Sequence, residues 1–226
     1  MTKTLTLQTT RFEVRSIRIA GLKVIQRRPI CDGRGYLERL FCNDELNPII
    51  EKRRIVQVNR ALTEKAGSVR GIHFQNPPYA EMKLVSCLRG EVFDVAVDLR
   101  KDSPTFLQSH AEVLTEANHK TFVIPEGFAH GYQTLTNNCE LLYLHTAIYA
   151  PEAEAGLNAL DPRLAITWPA PITERSVRDQ QHAMLPLNSE ECRYELPPLP
   201  DNANGYLRRS RFCSPVKCLP HQGRAQ

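Results

Sequence analysis

Val69-Arg70-Gly71-Ile72-His73-Phe74-Gln75 reads as a β-strand. Successive side chains on a strand point to opposite faces, so His73 and Gln75 share one face while Ile72 and Phe74 share the other. A few residues on, Met82-Lys83-Leu84-Val85-Ser86-Cys87-Leu88 alternates in the same way and puts the Lys83 ammonium on the face of Val85 and Cys87. That face is either the solvent side of a sheet or a half-apolar pocket that has drawn in a cation. Ile124-Pro125-Glu126-Gly127-Phe128-Ala129-His130-Gly131 then brings a second imidazole. A titratable base, a cation and another histidine on neighbouring strands are equipment for moving a proton beside a carbonyl. The chain therefore reads first as an enzyme.

Outward from these stretches the pattern repeats. Short alternating or apolar runs at Ile17 to Ile25, Arg54 to Asn59, Glu91 to Leu99, Phe122 to Ile124, Gly131 to Leu135 and Glu140 to Ala147 are expected strands. They are separated by turn signals such as Asp32-Gly33, Asn76-Pro77-Pro78, Arg89-Gly90 and Asn137-Asn138. Helical signal is confined to Asn43-Asp44-Glu45-Leu46 and to a segment beginning near Ser176. The expected class is all-β, an antiparallel double sheet or barrel with a few short helices.

A chain of 226 residues, 42% hydrophobic, can bury a substantial core without staples. Its formal charge of +4 is modest, and its body holds no basic run interleaved with aromatics, so nucleic acid is a poor partner for it. The seven cysteines are odd in number, scattered and never spaced C-x-x-C, which argues against a zinc site or a disulfide framework and for reduced thiols. No apolar run approaches the ~20 residues needed to span a bilayer and no leader is evident at Met1, so a cytoplasmic protein is expected. One domain over residues 1–190 is expected. Residues 191–226, Pro-rich and then basic, are expected to form a disordered tail.

Several long motifs occur in order: Arg70-Gly71-Ile72-His73-Phe74-Gln75, Lys83-Leu84-Val85, Gly90-Glu91-Val92-Phe93-Asp94-Val95-Ala96-Val97-Asp98-Leu99-Arg100, Ser103-Pro104-Thr105-Phe106, Ile124 to Gly131, and Ser176-Val177-Arg178-Asp179. Together, over about residues 15 to 185, they resemble the dTDP-4-dehydrorhamnose 3,5-epimerase family. The resemblance implies a metal-independent cupin, a β jelly roll, working without a cofactor and usually as a homodimer. It implies inversion of the carbon centres flanking the 4-keto group of a nucleotide-linked deoxysugar. By the same resemblance His73 is the base, Asp179 orients its imidazole, Lys83 binds the 4-keto oxygen and Tyr143 returns a proton from the other face. Arg34 and Arg70 match pyrophosphate-binding positions, Gln57 and Asn59 match a nucleotide-contacting pair, and His130 lines the site. The chemistry agrees, because a proton alpha to a ketone yields to a modest base when a cation stabilises the enolate oxygen. A guanidinium fork likewise suits phosphate oxygens.

Each of these residues also has an ordinary structural use: a hydrogen-bonded strand histidine at His73, a tight turn around His130, a solvated charge at Lys83 or Asp179, a sheet aromatic at Tyr143, an exposed hairpin arginine at Arg34. The chain also departs from the family pattern. Arg39 stands where a glutamate is common, Leu144 and Ile148 replace a lysine and a second tyrosine, and Ser109 replaces a tryptophan. Three other readings stay open: epimerisation at C3 alone on another nucleotide sugar, a metallocupin, and a non-catalytic sugar-nucleotide-binding cupin. The metallocupin is disfavoured by Gln75 where a second histidine ligand would stand, and by the positive charge of Lys83.

Overall fold

The computed structural model describes residues 4–185. The expected tail over 191–226 lies outside the described residues. Fourteen strands appear in chain order: β1 (Thr4–Gln8), β2 (Phe12–Ser16), β3 (Lys23–Arg27), β4 (Ile30–Asp32), β5 (Gly35–Leu37), β6 (Gln57–Thr63) and β7 (Val69–Gln75). They continue as β8 (Lys83–Arg89), β9 (Glu91–Asp98), β10 (Ser109–Thr115), β11 (Lys120–Ile124), β12 (Phe128–Thr134), β13 (Cys139–His145) and β14 (Glu154–Gly156). Two short α-helices, α1 (Asn43–Ile50) and α2 (Val177–Gln181), complete the set with one 3-10 turn at Pro162–Leu164. The all-β expectation holds, and the strands form the antiparallel double sheet of a cupin.

One sheet has seven strands in the order β1-β2-β3-β11-β8-β13-β6, the other five in the order β10-β9-β12-β7-β14, and β4 pairs with β5 as a separate hairpin. Between the sheets lies a core to which Val85, Cys87, Phe122 and Leu141 contribute from one side and Val92, Ala96, Leu114 and Phe128 from the other. The outer face of the five-stranded sheet carries Val95, Val97 and Ala129, covered by Leu157, Leu164, Trp168 and Leu185 from the following chain. α1 covers the outer face of the larger sheet, setting Leu46, Ile49 and Ile50 against Val14, Ile25, Leu84 and Leu144. The i, i+3, i+4 spacing of those three residues carries the helix past Leu46, where its sequence signal ended.

One strand expectation needs correction, and β10 was not expected. Ile17 to Ile25 is broken, because Gly21 at φ +98° closes a turn in which Leu22 N–H donates to the Ile19 carbonyl, and only Lys23–Arg27 is extended. β10 carried no apolar signal because its buried positions include Glu112, which is held by His110 at 3.0 Å and Lys120 at 3.3 Å. No helix among the described residues is long and apolar enough to cross a membrane.

Candidate active site

β7 departs from strict alternation at the point that matters. His73 lies opposite His130, and Arg70 opposite Tyr132, so two residues, Gly71 and Ile72, face the single Gly131. This bulge turns Ile72 into the outer apolar layer while Arg70 and His73 both line a cavity of about 540 Å³ between the sheets. It needs glycines. A Cβ on Gly71, at φ +111°, would come within 2.7 Å of Gly131 Cα, and one on Gly131 within 2.7 Å of the Arg70 carbonyl.

The opposite wall comes from the larger sheet. β13 and β8 pair in a register that sets Tyr143 beside Val85 and His145 beside Lys83. Tyr143, Lys83 and Asn59 on β6 all line the cavity. Lys83 is therefore the cation in a half-apolar pocket, with only 12% of its side chain exposed.

His73 Nε2 lies 2.6 Å from Asp179 Oδ1. The carboxylate is delivered by the first turn of α2, where Ser176 Oγ accepts from the Asp179 N–H at 3.0 Å and caps the helix. Its second oxygen accepts from the Gly71 N–H at 3.3 Å. Burial opposes the charge on Asp179, yet the hydrogen bonds from His73, Gly71 and Ser176 outweigh it and hold the carboxyl below the usual carboxylate range. With Nε2 held in this way, Nδ1 is the ring nitrogen left to take a proton. Asp179 itself belongs to a second cavity of about 690 Å³ that shares Arg70 and His73 with the first.

Tyr143 has the opposite character. Burial, reinforced by the neighbouring Tyr132 and Asp94, pushes its phenol well above the ordinary value. It remains a proton donor at neutral pH. Tyr132, which also lines the cavity, hydrogen-bonds Thr63 Oγ1 at 2.8 Å. His130 is a wall residue held from behind, its Nε2 lying 2.9 Å from Asp94 Oδ1, and Asp94 is fully buried with its carboxyl raised by desolvation.

Two expected residues are elsewhere. Arg34 sits in the β4–β5 hairpin, its side chain 91% exposed and paired with Asp32 at 2.6 Å, and it does not line the cavity. Gln57 Oε1 accepts from the Tyr149 N–H at 3.0 Å, steadying the chain after β13 rather than facing the cavity. Gln75 is likewise structural, since it bonds the Tyr79 carbonyl at 2.9 Å and the Ala150 N–H at 2.7 Å.

The departures are accounted for in part. Leu144 points out of the double sheet into the α1 cluster, away from the cavity that Tyr143 lines. Glu38 pairs with the fully buried Arg27 at 2.8 Å, and Arg39 pairs with Glu45 on α1.

Sequence reading overlooked His145, Glu81, Tyr132 and His182. His145 was within reach of parity, because it stands two residues after Tyr143 and shares its face. Among the described residues one set could hold a metal: the donor atoms of His73, Asp179 and His182 lie within 4.8 Å of one another.

A family model described as dTDP-4-dehydrorhamnose 3,5-epimerase matches residues 16–186. The chain belongs to the dTDP-4-dehydrorhamnose 3,5-epimerase family. A family enzyme of that name from Sinorhizobium fredii is 40% identical over 154 residues, covering 68% of this chain and 79% of the relative. The dTDP-4-dehydrorhamnose 3-epimerase of Streptomyces niveus is 35% identical over 173 residues, covering 76% and 83%. Among solved structures, the dTDP-6-deoxy-D-glucose-3,5-epimerase of Legionella pneumophila, in complex with dTDP-4-keto-L-rhamnose, superposes with a TM-score of 0.77 at 35% identity. That match covers 83% of this chain and all of the other. The family is one of isomerases, and the double sheet described above is its fold.

Proposed function

We propose that this protein epimerises a dTDP-linked 4-keto-6-deoxyhexose, inverting the centres at C3 and C5. The observation that carries the reading is one cavity with His73, backed by Asp179, on one wall and Lys83 with Tyr143 on the other. His73 Nδ1 removes the proton alpha to the ketone, and Asp179 stabilises the imidazolium that forms. Lys83 offers its ammonium to the oxygen on which enolate charge develops. The enolate is planar, so inversion needs a proton delivered from the face opposite the base, and Tyr143 is the protonated group there. Arg70 supplies a guanidinium to the pyrophosphate, and Asn59 and His130 hold the remainder of the substrate. No step calls for a cofactor or metal. These residues all fall within the unit expected over residues 1–190, whose described core is closed by Leu185.

The working form is a homodimer. Supporting this, the β4–β5 hairpin exposes Ile30, Tyr36 and Leu37, and β6, an edge strand, exposes Val58 and Leu62. Arg34 lies on that hairpin, so its part in substrate binding rests on how two copies meet.

NMR of solvent deuterium incorporation into dTDP-4-keto-6-deoxyglucose, with the UDP, GDP and CDP sugars in parallel, tests the reading. Exchange at both C3 and C5 with an inverted product is expected, preferentially with dTDP. Exchange at C3 alone would make the protein a 3-epimerase, and no exchange with any of the four would overturn the assignment.

A further inference from the structure

Lys83 does not meet the cavity alone. Glu81, just before β8, places Oε1 3.3 Å from the Lys83 ammonium, and both side chains are largely buried. A buried carboxylate this close would cancel much of the charge that an enolate oxygen is to feel. The other oxygen, Oε2, lies 2.7 Å from His145 Nδ1. His145 Nε2 lies 3.4 Å from the amide nitrogen of Asn59, which can only donate. The Glu81 carboxylate can only accept, so His145 Nδ1 carries an N–H directed at it. Burial opposes the charge on Glu81, but the bond from His145 and the ammonium of Lys83 together hold its carboxyl below the usual range. The ring is kept in place by lying nearly parallel to Tyr143, at 16° and 5.9 Å between centroids.

We infer that His145 is a positioning residue for Lys83: by donating to Glu81 it draws carboxylate charge away from the ammonium and leaves that charge free for the substrate oxygen. The inference rests on the role given to Lys83 above. It predicts an asymmetry that a packing role does not. His145 matters only while Glu81 is charged.

The test is a cycle of variants in the full-length protein. His145→Phe keeps an aromatic ring beside Tyr143 and removes the donor, and it should lower kcat for deuterium exchange about tenfold, one order of magnitude being a modest loss of oxyanion stabilisation. His145→Asn restores an N–H near the Nδ1 position and should keep most of the wild-type rate. Adding Glu81→Gln to His145→Phe should bring kcat to within about twofold of Glu81→Gln alone, as coupled neighbours require. An unchanged kcat in His145→Phe, or a double variant as slow as His145→Phe, overturns the inference. A second readout is independent of turnover: the rate at which Lys83 is acetylated by limiting acetic anhydride, with release of acetate, followed by mass spectrometry against other lysines. Lys83 should react more slowly in His145→Phe than in the wild type, and Glu81→Gln should erase that difference. Equal rates would overturn the inference even in a protein that turned over none of the sugars, whereas loss of turnover with the labelling pattern intact would overturn only the assigned reaction.

Discussion

His73 and Tyr143 look into one cavity from opposite sheets, the imidazole from β7 and the phenol from β13. A base and a donor on separate walls can be dissected separately. Tyr143→Phe leaves His73, Asp179 and Lys83 in place, so deuterium should still wash into the substrate while inverted product falls by roughly 10²-fold, the usual scale for a general acid. Inverted product forming at the wild-type rate in Tyr143→Phe would remove this residue from the role of donor.

The pH behaviour of that donor has a definite sign. Burial raises the Tyr143 phenol above its ordinary value of 10.0, so deprotonation, which would remove the donor, moves to more alkaline pH. The ratio of inversion to exchange should therefore stay constant up to pH 10.0. A fall in that ratio centred below this value would show an ordinary or depressed phenol.

On the other wall, His73→Asn should reduce exchange at both centres by about 10²-fold or more, whereas Asp179→Asn, which keeps the base and loses its carboxylate partner, should cost less. Asp179 also bears on acid stability. Its folded-state pKa is depressed, so its stabilising contribution is present above the ordinary value of 3.8 and is lost as pH falls below it. Thermal melts of wild type and Asp179→Asn should accordingly converge below that value. Parallel melts across the acid range would argue against a carboxylate stabilised by His73.

His73, Asp179 and His182 could together accept a divalent ion, yet His73 and Asp179 already satisfy one another at 2.6 Å and the proposed steps use no metal. Dialysis against a strong chelator should leave turnover unchanged. A stoichiometric ion whose return restored lost activity would require a different mechanism.

Gly71→Ala tests the bulge. A side chain at φ +111°, pressed within 2.7 Å of the His130 carbonyl and Gly131 Cα, should cost about 3 kcal/mol or more, the upper range for a strained backbone position. Chemical denaturation measures it directly, and a variant as stable as the wild type would mean that the two strands can part without penalty.

Much of this architecture is legible in the sequence. Apolar runs such as Glu91 to Leu99 and Glu140 to Ala147 announced their strands because each packs apolar side chains on both faces. β10 was silent because a buried, ion-paired Glu112 looks like a surface residue. In the site, parity placed Lys83 with Val85 and Cys87 but could not say whether that face met solvent, since this depends on the second sheet. The role of Asp179 was carried by family resemblance alone. An acid on an exposed-looking helix gives no local sign that it will meet a histidine 106 positions away. The Gly-rich turn marks Arg34 as an exposed hairpin arginine, but neither route gives where that two-stranded arm points, because strand periodicity says nothing of it.

The extra residue in β7 gives the family's chemistry an unusual dependence on counting. Arg70 and His73 are three apart, an odd interval that a regular strand would send to opposite faces, and only the doubled step across from Gly131 brings guanidinium and imidazole to the same wall. A β7 of the same length paired residue for residue with β12, without the doubled step, would retain every reactive side chain in the correct order. One member of the set would nonetheless turn outward into the layer beneath Trp168, and the proposed chemistry would lose it.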